Sequence, residues 1–413
     1  MKLKTLATAM ILATLPMTGA FAAAMDRSGQ SIAAFLQPGN YFEAGISVLD
    51  PNVSGTASTG LGGQATGDMA SDYYFPSAAL KLQVTDHFSF GLLYDQPFGA
   101  EAEYSDQSIA FNPTGIDGTQ AEVTTENLTF LLGYQPNENW NFYVGPVYQE
   151  AKGDVSLRGA AYSLLSGYNA DMKKDSELGW IAGLAFQIPD IALKASLTYR
   201  SEIKHELNSN EDVNGIALRN ATVGGLIAMG VPPSNANAMV PAFTDGKTSV
   251  TTPQSVNLDF QTGIMANTVA FANVRWVNWD GFAIRPNDFG QALDALGQVA
   301  PNLKGGNLVE YNKDQWNATV GVGRKFNEKW AGNVSVGWDS GAGNPVTTLG
   351  PTEGYWNVGL GAQFSPTPQT FIAGGVKYFW LGDAKALTVS NPDVGTFEDN
   401  DAWGYGLKMG YRF

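Results

Sequence analysis

Two histidines, His87 and His205, and no cysteine limit the covalent and metal chemistry open to this chain. A thiolate nucleophile, a disulfide framework and a thiolate metal site are excluded. A histidine-activated nucleophile needs the imidazole beside a hydroxyl and an orienting group. His87 falls in a short turn and His205 at the start of a long loop, and neither stands in such an arrangement. The reading is a non-enzyme with no cofactor and no metal site. What remains is binding. The stretches LRGAAYSLL (157–165) and LRNATVGGLIAM (218–229) put apolar side chains into long loops, and each reads as a short helix. Exposed apolar loop segments mark binding or membrane contact. Leu157, Tyr162, Leu164 and Leu165 from the first, with Leu218, Leu226, Ile227 and Met229 from the second, are candidates for an apolar groove.

The surrounding chain narrows the class. It has 413 residues, 24 basic against 39 acidic, for a net charge of −15 and a pI near 4.5. Such a chain repels nucleic acid. Charged residues are only 15%, below the roughly 25% of soluble domains. Aromatics reach 12%, which argues against disorder. Mean hydropathy is −0.12, so the polarity comes from uncharged amides and hydroxyls. Residues 1–22, MKLKTLATAMILATLPMTGAFA, have the basic start, short apolar stretch and Ala-x-Ala end of an export signal, with cleavage after Ala22 or, alternatively, Ala24. The apolar stretch is too short to span a bilayer.

Read for a period of two, the rest breaks into fourteen segments: 40–48, 72–84, 88–97, 122–135, 139–151, 175–187, 191–204, 255–266, 268–280, 314–326, 329–339, 354–364, 369–380 and 401–413. In the last, Trp403, Tyr405, Leu407, Met409, Tyr411 and Phe413 share one face, and Gly404, Gly406, Lys408, Gly410 and Arg412 the other. Side chains alternate across a pleat, so one face suits lipid and the other a lumen. Short connections alternate with long ones at 49–71, 98–121, 152–174, 205–254, 281–313, 340–353 and 381–400. Short inner turns and long outer loops are the pattern of a membrane barrel. Nine tryptophans near strand ends, Trp279 among them, read as headgroup belts. The expected fold is all-β: a 14-stranded antiparallel transmembrane β-barrel in the outer membrane of a Gram-negative bacterium, read as a multi-pass chain. Its domains are a signal peptide (1–22), an N-terminal luminal segment (23–39) and the barrel (40–413). A barrel this wide needs something to narrow its lumen. The candidates are the segment before the first strand, with Asp26, Arg27, Phe35 and Leu36, and the two longest loop regions.

Several stretches carry a family resemblance: DRSGQSIAAFLQPGNYFEAGISVLDPNVSG (26–55), FSFGLLYDQPFGAEAEY (88–104), VRWVNWDGF (274–282), KFNEKWAGNVSVGWD (325–339) and YWNVGLGAQFS (355–365). The chain resembles the FadL-type outer-membrane transporters of long-chain fatty acids and hydrophobic compounds, including the TodX-like aromatic hydrocarbon channels. The resemblance implies a monomeric barrel plugged by an N-terminal hatch, an apolar groove in the outer loops, and a luminal site where basic groups meet a carboxylate. It also implies an inward kink in the third strand that opens the wall sideways. Carried onto this sequence, Asp26, Arg27, Phe35 and Leu36 become hatch or gate residues. Arg158, Arg200, Lys204, Arg219 and Arg275 become candidate carboxylate partners. Pro97 becomes a candidate for the strand kink, or for the strand's end. The terminal Phe413 looks like the signal read by the barrel-assembly machinery. Outer-membrane lipid and lipopolysaccharide are the expected surroundings. This chain departs from the family in having a short hatch without its Asn-Pro-Ala motif; Asn112-Pro113-Thr114 and Asn391-Pro392-Asp393 fall in outer loops. The expected function is an energy-independent diffusion channel for long-chain fatty acids. A channel for aromatic or alkane hydrocarbons, or a structural or adhesive barrel, stays open at this level.

Overall fold

The structure, a computed structural model, describes residues 24–413. The expected signal peptide, residues 1–22, lies outside the described residues. Fourteen strands form the wall: β1 (Tyr41–Asn52), β2 (Tyr73–Gln83), β3 (Phe88–Asp95, resuming at Gly99–Glu103), β4 (Gln120–Tyr134), β5 (Trp140–Ser156), β6 (Tyr168–Ile188), β7 (Leu193–Arg200), β8 (Ser255–Met265), β9 (Thr268–Val277), β10 (Gln315–Lys325), β11 (Trp330–Asp339), β12 (Tyr355–Phe364), β13 (Thr370–Leu381) and β14 (Asp401–Arg412). Each pairs antiparallel with its neighbours in sequence, and β14 returns to β1 from Tyr41↔Arg412 to Asn52↔Asp401. Closure pairs the edges of the sheet, the condition for it to sit in lipid, apart from a short gap between β2 and β3.

The period-two pattern sets which way each side chain faces. On β14, Trp403, Tyr405, Leu407, Met409 and Tyr411 lie exposed on the outside, while Ala402, Gly404, Lys408 and Gly410 are buried inside. Aromatics pair across strands at both rims. Trp276 and Trp316 lie opposite each other with centroids 6.5 Å apart, and Trp338, Trp356 and Trp380 continue the row. At the other rim, Trp140 faces Phe186 at 4.8 Å, and Trp330 faces Phe364 at 4.8 Å. These are the girdles that fix a barrel at the headgroups. Trp279 is the exception to the expected belt. It is wholly buried under the outer loops, where Phe98, Phe282 and Tyr311 surround it at 4.9–5.5 Å.

The outer loops form a cap. It holds helices α1 (Leu218–Ala228), α2 (Pro233–Met239) and α3 (Asn287–Leu296), and a small four-stranded sheet that includes Gly55–Ala57 and Asn391–Phe397. Glu211 ties cap to wall: its carboxylate accepts the N–H groups of Asp288 (3.0 Å) and Phe289 (2.7 Å) at the start of α3, and the Tyr168 hydroxyl (2.9 Å). Burial raises its pKa above the ordinary value, and the bonds to the helix start oppose that rise.

Three expectations need correcting. The region 152–174 is not all loop, because β5 runs to Ser156 and β6 begins at Tyr168, so the two project beyond the membrane as a long hairpin. The third strand's first part ends at Asp95, two residues before Pro97. The chain is not multi-pass in the sense of separate spans. The fourteen strands close into one barrel that crosses as a single body, and no helix among the described residues is long and apolar enough to cross.

Candidate functional site

The site grows from a break in the wall. β2 pairs with β3 only from Ala78↔Tyr94 to Gln83↔Ser89. Beyond that, Tyr73–Ser77 keep their ladder with β1 but face no partner strand on the other side. β3 stays paired with β4, at Asp95↔Asn127 and again at Gly99↔Thr124, so three residues stand opposite two. One extra residue makes a bulge, and a bulge turns a strand out of line. Proline gives no ladder hydrogen bond, and both borders of the gap carry one, Pro76 and Pro97. Higher up, a side chain replaces the missing ladder. The Tyr73 hydroxyl donates to Glu101 O at 2.6 Å and accepts from Glu101 N at 2.9 Å. The Arg27 guanidinium lies 4.1 Å from the Tyr73 ring centre.

The inward-turned backbone at Pro97 meets the N-terminal segment. Arg27 N–H donates to Pro97 O at 2.6 Å and Gly99 N–H to Met25 O at 2.8 Å. The segment then runs through the lumen, held by wall side chains. Arg275, on β9, grips Asp26 with two bonds, Nε to Oδ2 at 2.7 Å and Nη2 to Oδ1 at 3.1 Å. Both partners are at most 1% exposed. Arg200, at the end of β7, donates Nη2 to Gln30 O. Asn257 holds Gly29 O at 2.8 Å, Lys194 holds Leu36 O at 2.8 Å, and Lys81 holds Gln37 O at 2.5 Å. Phe35 fills a slot over Gly91 and Gly133 and meets Tyr143 edge-on at 5.8 Å. A Cβ on Gly91 would come within 2.4 Å of that ring, so only glycine leaves the slot open.

Between this segment and the gap lies a cavity of about 1140 Å³, counting its open mouth. Ile32, Ala33, Phe75, Ala79, Leu93 and Ile181 give it apolar wall, and Arg200, Glu43, Asp95 and Asp259 give it charge. Ser28 donates to Asp95 at 2.5 Å and Asn273 to Asp259 at 2.7 Å. The Arg200 Nη1 is buried with no hydrogen-bond partner, on a residue 8% exposed. A second cavity of about 570 Å³, again counting its open mouth, shares Ile32, Ala33, Asp259 and Asn273 and extends the lining to Leu36 and Lys194.

The structure therefore brings together Asp26, Arg27, Phe35, Leu36, Arg200, Arg275 and the Pro97 region. It keeps Arg158, Lys204 and Arg219 apart from them. Arg158 pairs with Asp117 at 2.7 Å, Lys204 with Glu206 at 2.7 Å, and Arg219 donates to Val240 O and Pro241 O, all in the outer loops. The groove candidates divide as well. Leu157, Tyr162, Leu165, Leu218 and Leu226 are buried in the core of the cap, because the loops fold over one another instead of leaving a trough. Leu164 and Ile227 stay 40% exposed, and Met229 is partly buried against the core of the cap. Sequence reasoning missed Ser28, Gln30, Tyr73, Lys81 and Lys194. Pro76 inside a strand was a readable signal for the gap's other border, whereas nothing in the sequence marked Gln30.

A closed fourteen-stranded barrel, plugged from its own N-terminus, with an inner cavity reaching a break in its wall, is an outer-membrane channel. A sequence profile described as "Outer membrane protein transport protein (OMPP1/FadL/TodX)" matches residues 21–413. The chain belongs to that family, and it is an outer-membrane diffusion channel for hydrophobic compounds. No curated protein sequence matches it. Among solved structures it is similar to a Pseudomonas aeruginosa FadL homologue, with TM-score 0.70 and 16% identity over 97% of this chain and 98% of the other. It is similar to the P. putida toluene transporter TodX, with TM-score 0.60 and 12% identity over 98% and 94%. The Ralstonia pickettii toluene transporter TbuX gives TM-score 0.56 and 12% identity over 97% and 98%. At these identities the likeness speaks for the fold.

Proposed function

We propose that the channel carries long-chain fatty acids, with residues 23–39 as its hatch and the gap between β2 and β3 as a side exit into the membrane. The observation that carries this is Arg200: a buried guanidinium with one nitrogen, Nη1, left without a partner, on a residue that lines a cavity with an apolar side of Ile32, Phe75, Leu93 and Ile181. A charge-assisted bond to a carboxylate adds roughly 1.5–3 kcal/mol when sheltered, and burial of the alkyl tail adds about 25 cal/mol per Å². A neutral hydrocarbon would gain the second and leave the guanidinium unanswered. The cavity touches Phe75, Pro76 and Ser77 on β2 and Asp95 and Gln96 at the end of β3, residues beyond the last β2–β3 pair, which supports lateral release. In the same reading the protein is a monomer, residues 1–22 are removed on export, and Phe413 addresses the chain to the assembly machinery.

The test is uptake in cells lacking their own transporter, with labelled oleate and with toluene as competitor. Saturable oleate uptake that falls in Arg200→Gln supports the reading. Toluene entry without oleate uptake replaces it with a hydrocarbon channel. Failure of both in a correctly folded barrel leaves the structural or adhesive role.

A further inference from the structure

Arg275 and Arg200 both face the hatch, yet only one of them has capacity to spare. Arg275 uses every N–H: Nε and Nη2 on Asp26, Nη2 also on Gln30 Oε1 at 3.0 Å, and Nη1 on Ser255 Oγ (3.2 Å) and Asn257 Oδ1 (2.7 Å). Five donors in a fixed fork are thus all engaged. The group that fills the fork is a carboxylate supplied by the hatch itself. The neighbouring Arg200, which lines the cavity, has its buried Nη1 without a partner.

We infer that Asp26 is a built-in competitor for the substrate's carboxylate, and that exchange of the two on Arg275 is what releases the hatch. This rests on the fatty acid reading above. An acid arriving in the cavity meets Arg200 first. Its carboxylate is chemically the same ligand as Asp26, so it can replace Asp26 on Arg275 without leaving the buried guanidinium unpaired. Displacing Asp26 by anything neutral would leave two buried charges without partners, which costs several kcal/mol. The latch therefore discriminates between an acid and an alcohol of the same length. It is also wired to the wall. Asp26 is flanked by the backbone bonds Arg27 N–Pro97 O and Gly99 N–Met25 O, and it bridges Phe98 directly. Withdrawing Asp26 strips these bonds from the bulge of β3, at the border of the gap.

The chain has no cysteine, so a single spin label on Ala24→Cys, in protein whose mass shows that it begins at Ala23, reports on the hatch. The purified protein is compared with Asp26→Asn, using oleate and oleyl alcohol as probes. In the parent, saturating oleate should mobilise the label and oleyl alcohol should not. In Asp26→Asn the label should be mobile without ligand, and the affinity ratio of acid to alcohol should rise about tenfold, as expected when one charge-assisted pair becomes available. The double variant Asp26→Asn/Arg275→Gln should keep the mobile label and lose the gain in ratio. Heat-modifiable migration on a gel checks that each barrel is folded. The latch is overturned if oleyl alcohol mobilises the label as well as oleate does, or if Asp26→Asn changes neither mobility nor ratio. Should the parent itself bind acid and alcohol equally, the fatty acid reading fails and the latch with it. Should the parent prefer the acid while Asp26→Asn behaves like the parent, the latch alone fails.

Discussion

Replacing Phe35 by alanine tests whether residues 31–37 close the lumen. The ring is 1% exposed, sits over Gly91 and Gly133, and contacts Tyr143. Burying a phenyl group over roughly 150–200 Å² at about 25 cal/mol per Å² gives ~4–5 kcal/mol, and core Phe→Ala changes fall at about 3–5 kcal/mol. Part of that survives release, because the freed turn can still touch the wall, so the lower end applies. At about 1.4 kcal/mol per factor of ten, 3 kcal/mol raises the released population about a hundredfold. The Asp26–Arg275 pair stays intact, so the release is local to the turn. A cysteine at Ala33, which lines the cavity, reports it through its reaction rate with a water-soluble thiol reagent. The rate should rise about a hundredfold in Phe35→Ala. Gly91→Ala should move it the same way with Phe35 still present, since the new Cβ occupies the ring's place. A labelling rate within twofold of the parent in both variants would refute the slot as what holds the turn.

Three further outcomes follow from single contacts. Arg200→Gln should weaken oleate binding about tenfold or more and leave oleyl alcohol unchanged, measured by displacement of a fluorescent fatty acid. Tyr73→Phe removes both hydroxyl bonds to Glu101, so amide exchange over Gly99–Glu103 should quicken as about 1–2 kcal/mol of local stability is lost. His205 lies on the outer strand Ile203–Leu207, paired with Thr248–Thr252; burial lowers its pKa below the ordinary 6.5, against the opposing pull of Asp175 at 3.2 Å. The unfolded state takes up the proton first, so this strand pair holds its full stability above pH 6.5 and loses part of it as the pH falls through the lowered value. Exchange of Ile203–Leu207, corrected for intrinsic rate, should rise from pH 8 to pH 5, and His205→Gln should remove that dependence.

The wall was legible because lipid imposes a simple rule on it. Each outward residue must be apolar and each strand must cover the same thickness, so period and length both appear in the sequence; the strand limits fall within a few residues of those read except where β5 and β6 run on beyond the membrane, by five and seven residues. The cap was not legible in this way. α3 has Phe289, Ala292, Leu293 and Leu296 at helical spacing, a readable pattern inside a region taken as loop. Leu157, Leu218 and Leu226 read as surface because loops default to surface; only the packing of three distant loops together buries them. For the lumen the sequence supplies side-chain type and inward direction, and stops there. It marked Arg200 and Arg275 as inward cations, but their different states depend on Asp26 lying 249 residues from Arg275. No local pattern carries that distance.

The short hatch, without the family's motif, still has a physical reason to dock. Interior barrel positions are polar, and polar groups removed from water need partners. A turn that belongs to no helix or sheet brings the complementary deficit, namely carbonyls with nothing to accept from. Here the two deficits cancel: the carbonyls of Gly29, Gln30, Leu36 and Gln37 are taken by Asn257, Arg200, Lys194 and Lys81. Four of the holding contacts are thus to backbone, which any sequence supplies, so a particular side-chain motif is not what fixes the segment. Side chains add to this at Ser28 on Asp95, Gln30 on Arg275 and Arg27 over Tyr73, and two more set the plug's character. Phe35 sets depth through its glycine slot, and Asp26 sets charge through Arg275. A plug held by backbone alone would yield to any molecule that wets the lumen, and one held by apolar burial alone would yield to any oil. On the latch proposed above, one buried carboxylate at the end that touches the β3 bulge makes release depend on an acid, and places that dependence where the wall is already open.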